Sequence, residues 1–423
     1  MGRVKSFLAT ASAFVLLASA LVVVAPAPAQ AASSCSISGL ANDSRLASFS
    51  GSVTNLDTGK VVFSRSGTKA KRTASVLKLL TATAAIKVLG PDYRLTTKVV
   101  AGKKKGTIVL VGGGDATLSR TAKGSSSFYP GAPKLADLAA QVKASTSGKI
   151  TKIVLDSTYW DSSDAWDSTW KRSEQTIGYL SEVTALQVDG DRANPSANVS
   201  HRSTDPVKKA GQYFAKALGL KNVTIVKGKA PKGAKKLASV KSQPMSSLIK
   251  TMLLRSDGSL AETIGRVVSK KSGADGSAKS LEKVFLTALK SYGLNTKGVN
   301  IRDASGLSHV NAASPRFVTK LLTKIRSTKS LKPVYAGLSE SGKTGSLAWR
   351  FTGSSAVARG HVLAKTGWID TEYSLAGIVH AKDGTTLVFA FYAIGSRVTV
   401  QAQAALDVLA TGVYKCGGRL ADS

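Results

Sequence analysis

The stretch Thr73-Ala74-Ser75-Val76-Leu77-Lys78-Leu79-Leu80, continued by Ala82, Ala85, Ile86 and Leu89 as far as Gly90-Pro91, reads as a helix that is apolar nearly all round. A helix with a single apolar stripe can lie on a surface, but one with apolar residues on every side has to be surrounded. The chain must therefore supply further layers around this segment, and 423 residues suffice for a large core and for more than one domain. Gly90-Pro91 supplies the stop. Within so apolar a run Ser75 and Lys78 stand out, and at three positions apart they share a helix face. This reading puts Ser75 in the first helical turn, where unpaired backbone N–H groups and the positive end of the dipole favour a developing negative charge. An amine desolvated by Leu77, Leu79 and Leu80 can lose its proton near neutral pH and activate the hydroxyl. Serine, leucine and lysine are also common in ordinary helices, so the segment alone leaves a plain surface serine open.

The remaining chain offers layers of both kinds. Leu46 to Arg65 reads as two strands around Asp57-Thr58-Gly59, a hairpin signal. From about Thr97 to Gln243 the pattern changes to short strands and turns. Ile108 to Val111 runs into Gly112-Gly113-Gly114-Asp115, which lacks the Gly-Lys-Ser/Thr ending of a phosphate loop and reads as a strand-end turn. Trp160, Trp166 and Trp170 crowd one polar window and are expected to fill the small core of this middle region. Helical spacing returns at Met245 with Leu248, Ile249, Met252 and Leu253 and ends near Arg255. Ser256-Asp257-Gly258 is then a turn, with Ser259 and Glu262 expected as a capping box for the next helix. Ser314-Pro315 opens another helix. Lys-Thr-Gly occurs twice. Lys343-Thr344-Gly345 lies among serines and glycines and reads as a loop, whereas Lys365-Thr366-Gly367 ends the run His361 to Ala364 and precedes two strand signals joined through Asp383-Gly384. A closing helix is expected from Val398 to Ala410.

Two features bear on compartment and partners. Arg3 and Lys5 precede an apolar run from Phe7 to Val24 and an Ala-rich site ending at Ala31, the pattern of a cleaved secretory signal, so a secreted, cell-wall-associated protein is expected. An oxidising compartment would permit a disulfide between the two cysteines, Cys35 and Cys416, that ties the ends of the fold together; two free thiols are the alternative. The formal charge is +34, from 59 Lys and Arg against 25 Asp and Glu. Such a surface seeks polyanions, which for an exported chain means acidic wall polymers or anionic headgroups at a membrane surface rather than nucleic acid. Lys227 to Lys236, broken by Gly and Pro, reads as a solvated loop. His201, His309, His361 and His380 show no metal-ligand spacing, and no cofactor is expected.

Ser75-Val76-Leu77-Lys78, Ser256-Asp257-Gly258 and Lys365-Thr366-Gly367, in this order, resemble the S-x-x-K, S-x-N and K-T-G motifs of penicillin-binding proteins, specifically the class C D-alanyl-D-alanine carboxypeptidase/endopeptidase family. The likeness extends over Val111-Gly112-Gly113-Gly114-Asp115, Ala185-Leu186-Gln187-Val188-Asp189 and Asp303-Ala304-Ser305-Gly306-Leu307. It implies an α/β (α+β) fold: a penicillin-binding transpeptidase-like, β-lactamase-like domain in which helices flank an antiparallel sheet, interrupted by a smaller β-rich insertion. The implied layout is a signal peptide at 1–31, the first part of the transpeptidase-like domain at 32–96, the insertion at 97–243 and the second part at 244–423. It further implies Ser75 as nucleophile, Lys78 as its general base, Ser256 as proton relay to the leaving D-alanine, and Lys365 with Thr366 holding the terminal carboxylate. The backbone N–H groups of Ser75 and Trp368 would hold the oxyanion, with substrate laid along the Lys365 strand, which carries Gly367; each such donor is worth about 2 to 4 kcal/mol. Partners implied are peptidoglycan stem peptides ending in D-Ala-D-Ala, and β-lactams.

Two positions depart from the family pattern. Gly258 stands where asparagine is usual, and losing a buried charge-assisted hydrogen bond costs roughly 1.5 to 3 kcal/mol, or one to two orders of magnitude in rate. Trp368 follows the third motif in place of a small hydroxyl residue. The residues thus fit a carboxypeptidase, a catalytically impaired peptidoglycan-binding relative, or a β-lactamase or esterase with the same serine–lysine start; the long insertion argues against the last.

Overall fold

The computed structural model describes residues 1–6, 9–11 and 34–421, and from Ser34 onward the chain is one compact unit. The expected export signal, residues 1–31, lies largely outside the described residues. The hairpin forms from β1 (Ser48–Asn55) and β2 (Val61–Arg65), with Asn55 Oδ1 accepting from Asp57 N and Thr58 N at 3.0 and 3.1 Å. The central helix α1 (Lys78–Leu89) follows. The middle of the chain contributes β3 (Thr96–Ala101), β4 (Thr107–Val111), α2 (Leu135–Ser145), β5 (Lys152–Asp156), α3 (Ser173–Ile177), α4 (Pro206–Leu218), β6 (Thr224–Lys227) and β7 (Lys236–Lys241). Next come the helices α5 (Met245–Arg255), α6 (Gly258–Lys271), α7 (Ala278–Lys290), α8 (Pro315–Ser327) and α9 (Lys332–Tyr335). The chain closes with β8 (Ser339–Glu340), β9 (Val362–Ile369), β10 (Glu372–His380), β11 (Thr386–Ile394) and α10 (Val400–Cys416).

The main sheet runs β2-β1-β11-β10-β9-β8 and is antiparallel throughout, so strands from the two ends of the chain lie side by side at its centre. The apolar run Leu387 to Ala393 of β11 explains why both sheet faces are covered. Its alternate residues Leu387, Phe389 and Phe391 pack with α10 on one side, and Val388, Ala390 and Tyr392 join the helical core on the other. That helical core encloses α1, where every residue from Lys78 to Ile86 is buried among α5, α6 and α7. A second, mixed sheet, β6-β5-β4-β3-β7, lies within residues 96–241 and has its own core of Val99, Ile108, Leu110, Ile153 and Leu155 under α2 and α4. Cys35 and Cys416 are joined as a disulfide, and Cys35 bridges the backbone of Leu420.

Three local expectations are corrected. Ser75 is not in the first turn of α1; it sits on a 3₁₀ turn, Ala74–Leu77, that feeds α1 at Lys78. The cap of α6 is Asp257, whose Oδ1 accepts from Leu260 N at 2.7 Å, so the helix begins two residues earlier than a Ser259–Glu262 box would place it. Ser259 Oγ accepts from Ser181 N instead, and Glu262 Oε1 from Ala304 N and Ser305 N. Trp160 and Trp170 fill the helical core rather than that of the second sheet, with Trp170 Nε1 donating to Asp303 Oδ2 at 2.8 Å. Trp170 thereby fastens the irregular stretch after β5 to the loop that follows α7, while Trp160 Nε1 donates to Val183 O at 3.3 Å.

The sheet face toward the helices carries a polar patch. Ser52 on β1, Tyr392 on β11 and Glu372 on β10 share this face, and Ser52 Oγ, Tyr392 OH, both Glu372 carboxylate oxygens and nearby Thr73 Oγ1 are buried without a hydrogen-bond partner among the described residues. Burial pushes the Glu372 carboxyl up to about 8, only partly offset by the Arg72 charge and the Ser374 hydroxyl. A proton that the unfolded chain releases above its ordinary carboxyl range is thus retained in the fold, a contribution complete below about pH 4.5 and lost as pH rises through about 8.

Two outcomes are expected. Glu372→Gln should lose less stability than wild type between pH 5 and pH 9 in urea unfolding, by on the order of a few kcal/mol. Replacing Cys35 and Cys416 by serine should lower unfolding free energy by about 2 to 5 kcal/mol, with no such change on reducing the double variant.

Candidate active site

The three motif segments meet where β9 passes the 3₁₀ turn before α1. Strand and turn touch because Gly367 has no side chain: a Cβ there would stand 2.9 Å from Ser75 N and 2.1 Å from Ser374 Oγ. Behind the turn a Cβ on Gly306, which has φ +83°, would fall 1.9 Å from Ala74 O. Ala74 itself is held at φ +41° and Ser256 at φ +53°, left-handed conformations that cost a non-glycine residue of order 1 kcal/mol or more and persist only when neighbours enforce them. Both flank the same cleft of about 520 Å³, which Ser75, Lys78, Ser256, Gly258, Thr366, Gly367 and Trp368 all line. Lys365 stands behind it and reaches it through Ser256.

Two amines dominate the chemistry. Lys78 is 1 % exposed; its Nζ donates to Ser305 O at 2.6 Å and to Ser75 Oγ at 2.8 Å. Burial draws its pKa down to about 8, against the opposing pull of Asp303, Asp257 and Glu262. Lys365 is fully buried, and its Nζ donates to Ser256 Oγ at 2.8 Å and Thr366 O at 2.7 Å. Burial, reinforced by the charges of Lys78 and Arg350, holds it well below the usual lysine range. Neither amine has a carboxylate within ion-pair distance among the described residues, so each serine hydroxyl is bonded to an amine whose proton is weakly held.

The carbonyl that supports Lys78 is itself supported. Asp303 Oδ1 accepts from Gly306 N at 2.7 Å and from Asn311 Nδ2 at 2.9 Å, and Glu262 Oε1 accepts from Ser305 N at 2.7 Å. Burial and the neighbouring Asp303 raise the Glu262 carboxyl to about 8. Thr81 Oγ1 donates to Ala304 O at 2.6 Å, tying the loop to α1. The Ser256 turn is anchored from the middle of the chain: Asp257 Oδ2 accepts from Arg192 Nη2 at 2.5 Å and Tyr129 OH at 3.2 Å, a pair almost fully buried. Burial opposes ionisation of Asp257, but Arg192 and Arg202 hold its carboxyl below the ordinary range.

Trp368 is 44 % exposed and lies at the rim between Tyr179 and Tyr373, with ring centroids 6.4 and 6.3 Å away. Lys171 and Asp370 pair beside it. The first Lys-Thr-Gly copy stays outside the cleft, but the next residue, Ser346, enters it and its Oγ accepts from Thr366 Oγ1 at 2.7 Å. Arg192, Asn198, Tyr179 and Ser346 were not singled out by sequence reasoning. They come from segments without helix or strand periodicity, and only the Ala185 to Asp189 resemblance pointed near them.

The model of the D-Ala-D-Ala carboxypeptidase 3 (S13) family matches residues 34–199 and 192–413. The carboxypeptidase DacB of Mycolicibacterium smegmatis is 32 % identical over 400 residues, 93 % of this chain and 86 % of that protein. Among solved structures, penicillin binding protein 4 (dacB) from Haemophilus influenzae aligns with a TM-score of 0.75 at 18 % identity, covering 90 % of this chain and 99 % of that one. The same protein complexed with a novel β-lactam aligns at 0.68 and 19 % identity, over 89 % and 98 %. The two-sheet fold, the order of the three motifs and these matches over nearly the whole described unit lead to one assignment: the chain belongs to the D-Ala-D-Ala carboxypeptidase 3 (S13) family of peptidases.

Proposed function

We propose that this chain is a serine D-alanyl-D-alanine carboxypeptidase that trims peptidoglycan stem peptides through an acyl-enzyme on Ser75, is acylated there by β-lactams, and also opens D-alanyl cross-links where these reach the cleft. The observation that carries the reading is the 2.8 Å contact between Ser75 Oγ and a buried amine with a pKa near 8. Once neutral, Lys78 Nζ keeps its bond to Ser305 O and offers its lone pair to the Ser75 proton. The alkoxide oxygen then attacks the penultimate peptide carbonyl, whose oxygen is received by the N–H groups of Ser75 and Trp368. As the tetrahedral centre collapses the C–N bond breaks, and the leaving amine of D-alanine takes a proton passed through Ser256 from the Lys78–Lys365 side of the cleft. Lys365 and Thr366 attract the terminal carboxylate. Water then adds to the ester and restores Ser75.

The wider setting extends the same reading: secretion on the N-terminal signal, residues 97–243 as an inserted domain, and attraction of the basic surface to anionic wall polymers or headgroups. The second reading, a peptidoglycan binder without turnover, is favoured by Gly258. A fluorescent penicillin separates the two: wild type should label covalently and Ser75→Ala should not, whereas a wild type that stays unlabelled would leave only the binder. The acylation rate should rise about tenfold per pH unit below about pH 8 and level off above it, as Lys78 loses its proton. Mass spectrometry of a pentapeptide ending in D-Ala-D-Ala should show loss of one alanine.

A further inference from the structure

The wall of the cleft beside position 258 is bare of side-chain amide. A Cβ built on Gly258 would meet Leu180 Cδ1 at 3.2 Å, Tyr179 O at 3.7 Å and Ser305 Cβ at 3.8 Å, so the position is hemmed in as well as empty. Two residues lining the cleft carry a carboxamide, Asn198 and Gln403. Gln403 belongs to α10, where its backbone carbonyl accepts from Arg350 Nη2 at 3.1 Å, and none of its contacts runs to the Gly258 turn among the described residues. Asn198 is tied to the Gly258 side. Arg192 Nε donates to Ala197 O at 3.0 Å, while its Nη2 holds Asp257, the residue immediately before Gly258, at 2.5 Å.

The segment bearing Asn198 is fixed although it has no regular structure. Asn194 N donates to Ser200 Oγ at 2.9 Å, Ser196 N to Asn194 Oδ1 at 3.0 Å, and Phe128 N to Pro195 O at 2.8 Å. The Arg192 guanidinium that anchors it is itself clamped over the Phe128 ring, 3.7 Å from its centroid. On this fixed segment Asn198 is exposed, and its carboxamide makes no hydrogen bond among the described residues. A carboxamide donates and accepts at once, the match required by a peptide bond, whereas the guanidinium groups of Arg72 and Arg255 that line the cleft only donate.

We propose that Asn198 makes the amide contact to the substrate backbone that Gly258 cannot make, with Arg192 as the positioning residue that couples it to the Ser256 turn. This rests on the acyl-enzyme reading above. The contact is to the acyl-side amide of the substrate, which benzylpenicillin carries and 6-aminopenicillanic acid lacks.

The test compares second-order acylation rates of the full chain with these two compounds. Asn198→Ala and Asn198→Asp should slow acylation by benzylpenicillin tenfold or more and by 6-aminopenicillanic acid less than twofold, with an unchanged thermal midpoint. Asn198→Ala should slow D-alanine release from diacetyl-Lys-D-Ala-D-Ala by a similar factor. No loss with benzylpenicillin, or an equal loss with both compounds, would overturn the assignment while leaving the acyl-enzyme reading intact. A wild type that reacts with neither compound would overturn both.

Discussion

The structure depends on keeping two lysine side chains out of water without giving either a carboxylate. An isolated buried ammonium is costly, and the usual remedies are an ion pair or loss of the proton. Here Lys78 and Lys365 are held by hydroxyl and carbonyl oxygens instead, and the Lys78 charge adds to burial in depressing the affinity of Lys365 for a proton. That arrangement is incompatible with a surface helix. It requires α1 to be enclosed by α5, α6 and α7, and β9 to run hard against the turn before it. The left-handed residues Ala74 and Ser256 are where the backbone absorbs the mismatch between these demands.

Acidic groups are present but kept one step away. Asp303 and Glu262 bind the backbone of the loop whose Ser305 carbonyl receives Lys78, and Asp257 turns toward Arg192 and Tyr129. Their fields moderate the Lys78 amine without neutralising it. A carboxylate moved one residue closer would convert a weakly held proton into a tightly held one, so the spacing between amine and acid sets the protonation of Lys78 as much as burial does.

What could be read from the chain follows the range of the forces involved. The all-round apolar helix, its Gly90-Pro91 stop, the Asp57-Thr58-Gly59 hairpin and the strand bearing Lys365 are set by neighbours within a few residues, and they were legible. The two Lys-Thr-Gly copies were separable because one ends an apolar strand and the other lies among serines and glycines. Ser75 on a 3₁₀ turn was not legible, because that geometry is imposed by Gly306 and Gly367 from the far end of the chain. The Ser259–Glu262 pattern misled for a similar reason. Asp257 is equally able to cap, and a loop more than forty residues away claims the glutamate. Trp160 and Trp170 had the composition of a small separate core, yet both join the main one, Trp170 through its bond to Asp303.

The position of β1 between β2 and β11 has a further consequence. The N-terminal hairpin has no centre to join until residues 386–394 exist, and the disulfide that closes the ends waits for residue 416. The serine turn is therefore made long before its sheet can assemble, and a chain that lacks β11 holds the Ser75 segment without a floor beneath it. Pairing of β1 with β11 is in this sense the step on which formation of the cleft waits.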